Sequence, residues 1–206
     1  MIPKYKTKNN QSFNYKCFNM SILNIKKYPD QILKKKAAEV KKITKDIKTL
    51  AFEMIETMDK NQGVGLAAPQ VGESKRIIVI YRINSRSQRT SPKAKPEVFI
   101  NPKIIKKSRE TEYDEEGCLS VPEVFLKIKR AKEVEVESLD LGGKKILIKA
   151  KGLPARIFQH EIDHLDGILF FERLSFWQKT KFKTKLSRRE SAGGKENAVL
   201  FDYRAR

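Results

Sequence analysis

Residues Pro154 to Leu165 read PARIFQHEIDHL. A proline in its first turn and Gly167 just beyond its end predict a helix over these residues. The helix holds both histidines of the chain, His160 and His164. Because positions i and i+4 share one helix face, the two imidazoles can bind one metal ion, and Glu161 is placed to take a proton from its water.

Two histidines leave such a site short of a ligand. A third histidine at the metzincin spacing is excluded because Phe170 occupies that position, and a thermolysin-like carboxylate is disfavoured because Glu172 is too near and Glu190 lies in a basic tail. Cys118 is the better candidate, since a thiolate binds borderline and soft divalent metals and Gly117 leaves room beside it. One cysteine and two histidines would leave a fourth tetrahedral position for water, which is the arrangement of a catalytic site.

A purely structural interpretation of these residues stays open. Two histidines can lie on the surface of an amphipathic helix, and Cys118 can be a small apolar residue of the core. The apolar neighbours Phe158 and Leu165 indicate instead that the helix is buried, where polar side chains without partners are costly. The ligand interpretation is therefore favoured.

A third motif, GVGLAAPQ, spans Gly63 to Gln70. Its small residues allow another backbone to approach closely, and the Gln70 amide can point into a cleft. A phosphate-binding loop is excluded, because no Gly-Lys-Ser/Thr follows. A tight turn packed against the core is the alternative.

Around these motifs the pattern predicts mostly strands. A helix is predicted after the N-cap Thr44, with an apolar stripe from Ile47 to Met58 and an end near Gly63, and a basic helix over 175–186. The predicted strands are 76–81, 97–101, 104–108, 123–129, 133–139 and 144–149. Links of the hairpin type, without βαβ crossovers, indicate an α+β fold.

Composition and length exclude several classes of protein. The 206 residues suit one domain with tails, and no apolar run approaches the ~20 residues that cross a bilayer. Two cysteines, Cys17 and Cys118, allow at most one disulfide, which favours a reducing compartment, the cytoplasm. The net charge of +19 lies largely near the ends and suits either a polyanionic partner such as nucleic acid or plain solubility.

The chain divides into four predicted segments. They are a disordered basic extension over 1–19, a catalytic domain over 20–174, a basic helix over 175–189 and a flexible tail over 190–206. An organellar transit peptide in the extension is the alternative to a cytoplasmic location, although the extension contains no arginine. A start at Met1 or at Met20 stays open.

Taken together, the three motifs resemble those of the peptide deformylase family. The family pattern G-x-G-x-A-A-x-Q, E-G-C-L-S and Q-H-E-x-D-H stands here at Gly63 to Gln70, Glu116 to Ser120 and Gln159 to His164. The similarity runs from about Met20 to about Leu186. It implies an α+β fold with antiparallel strands packed around a central H-E-x-x-H helix. It also implies a hydrolase that releases formate from the N-terminal formyl-methionine of newly synthesised polypeptides.

The resemblance also implies a set of metal ligands and a mechanism. Cys118, His160 and His164 would hold one divalent metal, with Fe²⁺ favoured and Zn²⁺, Ni²⁺ or Co²⁺ as alternatives. A water on this metal would attack the formyl carbon, with Glu161 as general base and then general acid.

Further roles follow from the same resemblance. The Gln70 side chain and the Leu119 backbone N–H would stabilise the oxyanion. The backbone around Val64, Gly65 and Gly117 would bind the peptide as an added strand.

The resemblance determines the methionine pocket and the distal peptide contacts less closely. Val64, Leu153 and Ile157 are the candidates for an apolar methionine pocket, although each can equally be plain core. Phe125 stands where many relatives carry an arginine thought to contact the substrate, so the more distal peptide contacts are in doubt.

The basic helix allows two interpretations. Some bacterial deformylases dock on the ribosome through such a helix, so Lys179, Lys181, Lys183 and Lys185 can contact ribosomal RNA; a solvated lysine face is the alternative. A nucleic-acid-binding protein on a retired enzyme scaffold is disfavoured, because Glu161 and every other catalytic position of the motifs are present.

Overall fold

The protein is described by a computed structural model that covers residues 21–82, 95–191 and 199–201, with the backbone alone over 185–191 and 199–201. The predicted extension over 1–19 lies outside the described residues. The helices are α1 (Lys45–Lys60), α2 (Leu153–Leu165) and α3 (Phe176–Ser191). The strands are β1 (Gly65–Ala67), β2 (Ile77–Tyr81), β3 (Pro96–Lys107), β4 (Thr111–Cys118), β5 (Val121–Ala131), β6 (Glu133–Leu139), β7 (Lys145–Lys151) and β8 (Val199–Phe201).

The strands form two sheets that α2 joins. One sheet has the order β1-β2-β3-β6-β7 with antiparallel pairs throughout, and the other has the order β4-β5-β8. Helix α2 contacts β1, β2, β3, β6 and β7 of the first sheet and β5 of the second. The predicted α+β fold, with antiparallel strands around the H-E-x-x-H helix, is confirmed.

Strand β2 is buried on both faces, because a helix covers each of them. Alternate residues of a strand point to opposite faces. Ile78 and Ile80 pack in the cluster that contains Phe158 of α2. Ile77 and Val79 pack instead in the cluster that contains the buried stripe of α1. This double coverage fixes α2, and with it the two histidines, against the first sheet.

The predicted N-cap of α1 is present, since the Thr44 hydroxyl accepts a hydrogen bond from the Ile47 N–H at 3.4 Å. The predicted strands over 97–101 and 104–108 are instead one strand, β3. Asn101 interrupts its register with a positive φ of 51°, which asparagine tolerates better than most residues. The Asn101 amide also bonds the backbone N–H and C=O of Val40 at 2.8 and 2.9 Å, so the irregularity is anchored.

The C-terminal end differs from the prediction. Helix α3 runs over Phe176–Ser191, so it continues beyond the helix predicted over 175–186 and the basic helix segment predicted over 175–189, and it reaches the segment 190–206 that the sequence predicts as a flexible tail. Residues 199–201 form β8, which pairs in parallel with Val124 to Leu126 of β5. Val199-Leu200-Phe201 is a β-prone apolar run that meets an available strand edge, which explains the difference. Over the described stretches, every helix is too short or too polar to span a membrane.

Candidate active site

Cys118, His160 and His164 come together where the end of β4 meets the middle of α2. The ligand atoms of these residues all lie within 4.8 Å of one another. The Cys118 Sγ lies 3.2 Å from the Nε2 atom of His164, and the two imidazole centroids are 5.0 Å apart. One soft and two borderline donors suit a divalent ion such as Zn²⁺ or Fe²⁺ and leave a fourth position open. The residues present therefore fit a bound metal.

A tight end of the β4–β5 hairpin presents Cys118. Gly117 is paired with Phe125, whereas the next residue, Cys118, is already paired with Val121. A Cβ atom at Gly117 would lie 2.6 Å from Cε1 of Phe125, so the aromatic ring covers this glycine. Glycine at 117 thus allows the ring to pack next to the cysteine.

Glu161 lies against the glycine-rich motif. A Cβ atom added at Gly65 would be 2.3 Å from the Glu161 Oε1, so only glycine leaves space for this carboxylate. Glu161 is buried, and its Oε2 atom has no hydrogen-bond partner among the described residues. Burial raises the pKa of Glu161 to about 7. The small residues were expected to admit another backbone, and the structure shows that Gly65 admits a side chain.

Gln70 is held in one orientation next to the cysteine. Its Oε1 accepts a hydrogen bond from the Ala67 N–H at 2.8 Å. Its Nε2 then points to the Cys118 Sγ at 3.5 Å and to the Ser120 Oγ at 3.3 Å. The amide NH₂ therefore faces the Cys118 sulfur. Leu119, the next residue along the chain, begins the turn to β5.

The residues predicted to bind peptide line two sheet edges. β1, which carries Gly65, and β4, which carries Gly117, are edge strands of different sheets.

The candidates for the methionine pocket pack in the core. Val64 and Leu153 are half-buried and pack against the two large core clusters. Ile157 is 4% exposed and lies within one of these clusters.

A buried group of charges behind the histidines was missed at the sequence level. The Glu116 carboxylate accepts hydrogen bonds from Arg130 at 2.9 and 3.0 Å and from Arg156 at 2.7 Å, and its Oε2 lies 2.9 Å from the His160 Nδ1. Because Nδ1 contacts Glu116, the other ring nitrogen of His160, Nε2, faces Cys118 and His164. Arg156 precedes His160 by four residues on the predicted helix, so its place on the same face was a usable signal.

The pKa values of these groups follow from burial and from their partners. Burial opposes the charge on Glu116, but its hydrogen bonds with His160 and Arg130 lower its pKa far below the ordinary value. Burial also disfavours the charged form of His160, yet its contacts with Cys118 and Glu116 raise its pKa well above 6.5. Burial lowers the pKa of His164 well below that value. The His164 Nδ1 is buried without a hydrogen-bond partner in the described part of the chain.

Asp163 extends the charged group towards the C-terminal helix. Arg130, which bonds Glu116, also donates to the Asp163 carboxylate from its Nη1. Arg173 donates to the same carboxylate from its Nε at 3.0 Å and from its Nη2. The charges therefore connect β4, β5, α2 and the single turn that precedes α3.

Comparisons with known proteins identify the family of the chain. The family model described as Polypeptide deformylase matches residues 22–180. The chain belongs to this family. The peptide deformylase of Thermodesulfovibrio yellowstonii is 48% identical to it over 173 residues, which cover 81% of this chain and 99% of that relative. Deformylases remove N-terminal formyl groups, so the predicted family and enzyme class are confirmed.

Solved deformylase structures share the fold. The crystal structure of peptide deformylase from Ehrlichia chaffeensis has a TM-score of 0.74 and 40% identity, covering 84% of this chain and 99% of that one. A class I type b peptide deformylase from Acinetobacter baumannii, solved with Met-Ala-Ser bound, has a TM-score of 0.68 and 42% identity, covering 75% and 99%.

Proposed function

We propose that this deformylase removes the formyl group from the N-terminal formyl-methionine of nascent polypeptides with a metal held by Cys118, His160 and His164. The observation that carries the proposal is the convergence of these three donors, remote in sequence, beside the buried carboxylate of Glu161. A divalent ion bound there would act as a Lewis acid that activates water and polarises the formyl oxygen.

Glu161 would move the proton. Its carboxylate takes a proton from the attacking water and delivers it to the leaving amine once the C–N bond breaks. The pKa of about 7 that burial gives this group suits both steps, because acceptance and release are then nearly balanced at neutral pH.

Gln70 and Leu119 would stabilise the oxyanion. The Gln70 Nε2 is oriented by the bond that its Oε1 accepts from Ala67, so its N–H groups need no rearrangement as charge develops. Loss of one such donor reduces turnover by about 10²–10³ in well-studied hydrolases, and we expect an effect of this order for Gln70→Ala.

The substrate peptide would lie between the two sheets. The edges of β1 and β4 offer backbone groups around Val64, Gly65 and Gly117, and a peptide placed between them would extend both sheets. The Met-Ala-Ser tripeptide bound to the Acinetobacter baumannii relative supports a methionine at the first position. Val64 and Leu153, which are half-buried, and the more buried Ile157 are the proposed walls of its pocket.

For the metal we propose Fe²⁺, with Zn²⁺, Ni²⁺ and Co²⁺ as the alternatives that a cysteine and two histidines also bind. The enzyme would act in the cytoplasm, where nascent chains emerge. Its basic helix, with Lys179, Lys181, Lys183 and Lys185, would contact the ribosome.

Turnover of a tripeptide tests the proposal. Under anaerobic conditions, formyl-Met-Ala-Ser should release formate, and Met-Ala-Ser should release nothing. Removal of the metal with a chelator should abolish turnover, and Glu161→Gln should reduce it strongly while metal is still bound. Cleavage of a peptide bond in either tripeptide would instead identify a peptidase and contradict the proposal.

A further inference from the structure

Two aromatic side chains at the beginning of α3 are almost fully exposed. Phe176 and Trp177 are 73% and 74% exposed, more than any other large apolar side chain of the described residues. Their rings meet edge to face with centroids 5.5 Å apart. Exposure of two adjacent aromatic rings is costly in water and marks an interaction site.

The rest of α3 fixes which face these rings occupy. Phe182 is completely buried and packs on Phe171, with ring centroids 4.9 Å apart, so this side of the helix faces the core. Trp177, Lys181 and Thr184 follow the i, i+4, i+7 spacing on the outward side, and all three are exposed. The outward face of α3 therefore begins with Trp177 and continues with polar and basic residues.

The charge of the helix favours an anionic partner. From residue 176 to residue 189 the sequence carries four lysines and two arginines and no acidic residue. The nearby Glu172 forms an ion pair with Lys183 at 3.3 Å and offsets only part of this charge. A lipid surface is a poorer match, since the outward face is polar beyond its first turn and has little apolar area to insert.

We propose that the outward face of α3 binds RNA that has unpaired bases. Phe176 and Trp177 stack on bases, and Lys181 on the same face contacts an adjacent phosphate, with the half-buried Lys179 and the exposed Lys183 at the borders of this face adding positive charge. This inference specifies how α3 would make the proposed ribosome contact, and it rests on that proposal. It does not depend on the deformylation chemistry.

Trp177 makes the proposal directly measurable, because it is the single tryptophan of the chain. A 20-nucleotide oligouridine should quench the tryptophan fluorescence of the full-length protein through stacking. Inorganic polyphosphate should bind through the lysines but leave the fluorescence nearly unchanged. Quenching by polyphosphate as strong as that by RNA would overturn the stacking role.

Two variants separate the contributions. Phe176→Ser with Trp177→Ser should weaken binding of end-labelled oligouridine, measured by anisotropy, by at least about tenfold at every salt concentration, since stacking is worth about 1–3 kcal/mol per base. Lys179→Glu with Lys181→Glu should weaken binding and flatten its dependence on salt. Undiminished RNA binding by the serine variant would overturn the proposal, even if its binding to ribosomes were lost, since that result indicates a protein partner.

Formate release from formyl-Met-Ala-Ser is measured in the variant with both Phe176→Ser and Trp177→Ser. It should stay at the parental rate, because neither ring belongs to the active site. A parent that binds RNA without deformylating would contradict the proposed function alone, and a parent that deformylates without binding oligouridine would overturn this inference alone. A blue shift of Trp177 emission with phosphatidylglycerol vesicles but no response to RNA would assign the rings to a membrane and overturn the inference as well.

Discussion

A methyl group added at Gly65 would lie 2.3 Å from the Oε1 atom of Glu161, which makes the glycine part of the proposed proton-transfer machinery. The backbone of Gly65 has no positive φ, so Gly65→Ala changes the space and not the allowed conformation. We expect the variant to displace the carboxylate and to lower kcat by roughly 10²-fold, as misplacements of about 1 Å do. Metal content should stay at the parental level.

The matched control is Gly142→Ala, which adds the same methyl group in the turn between β6 and β7, away from the site. Its formate release should equal that of the parent. A Gly65→Ala enzyme with parental kcat would show that the Glu161 position is not critical.

The burial of Glu161 also predicts a pH-dependent stability. Its pKa rises from 4.5 to about 7 on folding, so the folded protein resists ionisation of this group. Below pH 4.5 the effect is absent, and as the pH rises to 7 the native state loses roughly 3 kcal/mol relative to a variant without the charge. The free energy of unfolding of chelator-stripped Glu161→Gln, relative to that of the stripped parent, should therefore increase from pH 5 to pH 8, as measured by urea unfolding. A difference between variant and parent that is the same at pH 5 and at pH 8 would contradict the burial argument.

At the level of elements, two arginines hold α2 in place through the same carboxylate. Arg130 and Arg173 both pair with Asp163, but the side chain of Arg130 is 4% exposed and that of Arg173 is 39% exposed. Removing one partner of a buried pair leaves an uncompensated charge and costs about 3–5 kcal/mol, whereas exposed pairs contribute about 1 kcal/mol or less. Arg130→Ala should thus lower the free energy of unfolding far more than Arg173→Ala in urea titrations. Equal losses would mean that burial does not govern this network.

The elements that the sequence predicted are those with a strong apolar period. The stripe of α1 and the alternation of β6 predicted both elements within a few residues, and α2 was predicted with its two histidines on one face. β4 was missed because its sequence, TEYDEEGC, is acidic and has no apolar alternation. Strand β4 is held by its pairing with β5, where Lys127 is the register partner of Glu115, and by the hydrogen bonds that Glu116 accepts from Arg130.

Some contacts of the site could not be predicted from local pattern. The three motifs identified the candidate donors, but the pairing of Arg130 with Glu116 joins residues 14 apart across a hairpin of which only one strand was predicted. The contact of Glu161 with Gly65 likewise depends on how α2 packs on the first sheet. Such contacts follow from tertiary packing, which short-range periodicity does not encode.

At the level of the whole molecule, α2 is the element on which both sheets depend. The first sheet supplies Gly65 and the second supplies Cys118, so the site exists only when both pack on this helix. A metal bound by Cys118 and the two histidines would therefore link the second sheet to α2 and stabilise the fold as well as the chemistry.

X-ray absorption at the metal edge of the anaerobically purified full-length protein tests the central claim most directly. We expect one metal per chain with one sulfur at about 2.3 Å and two imidazole nitrogens at about 2.0–2.1 Å, and loss of the sulfur contribution in Cys118→Ser. A metal shell of nitrogen and oxygen alone in the parent, or a spectrum unchanged by Cys118→Ser, would contradict a centre built from Cys118, His160 and His164.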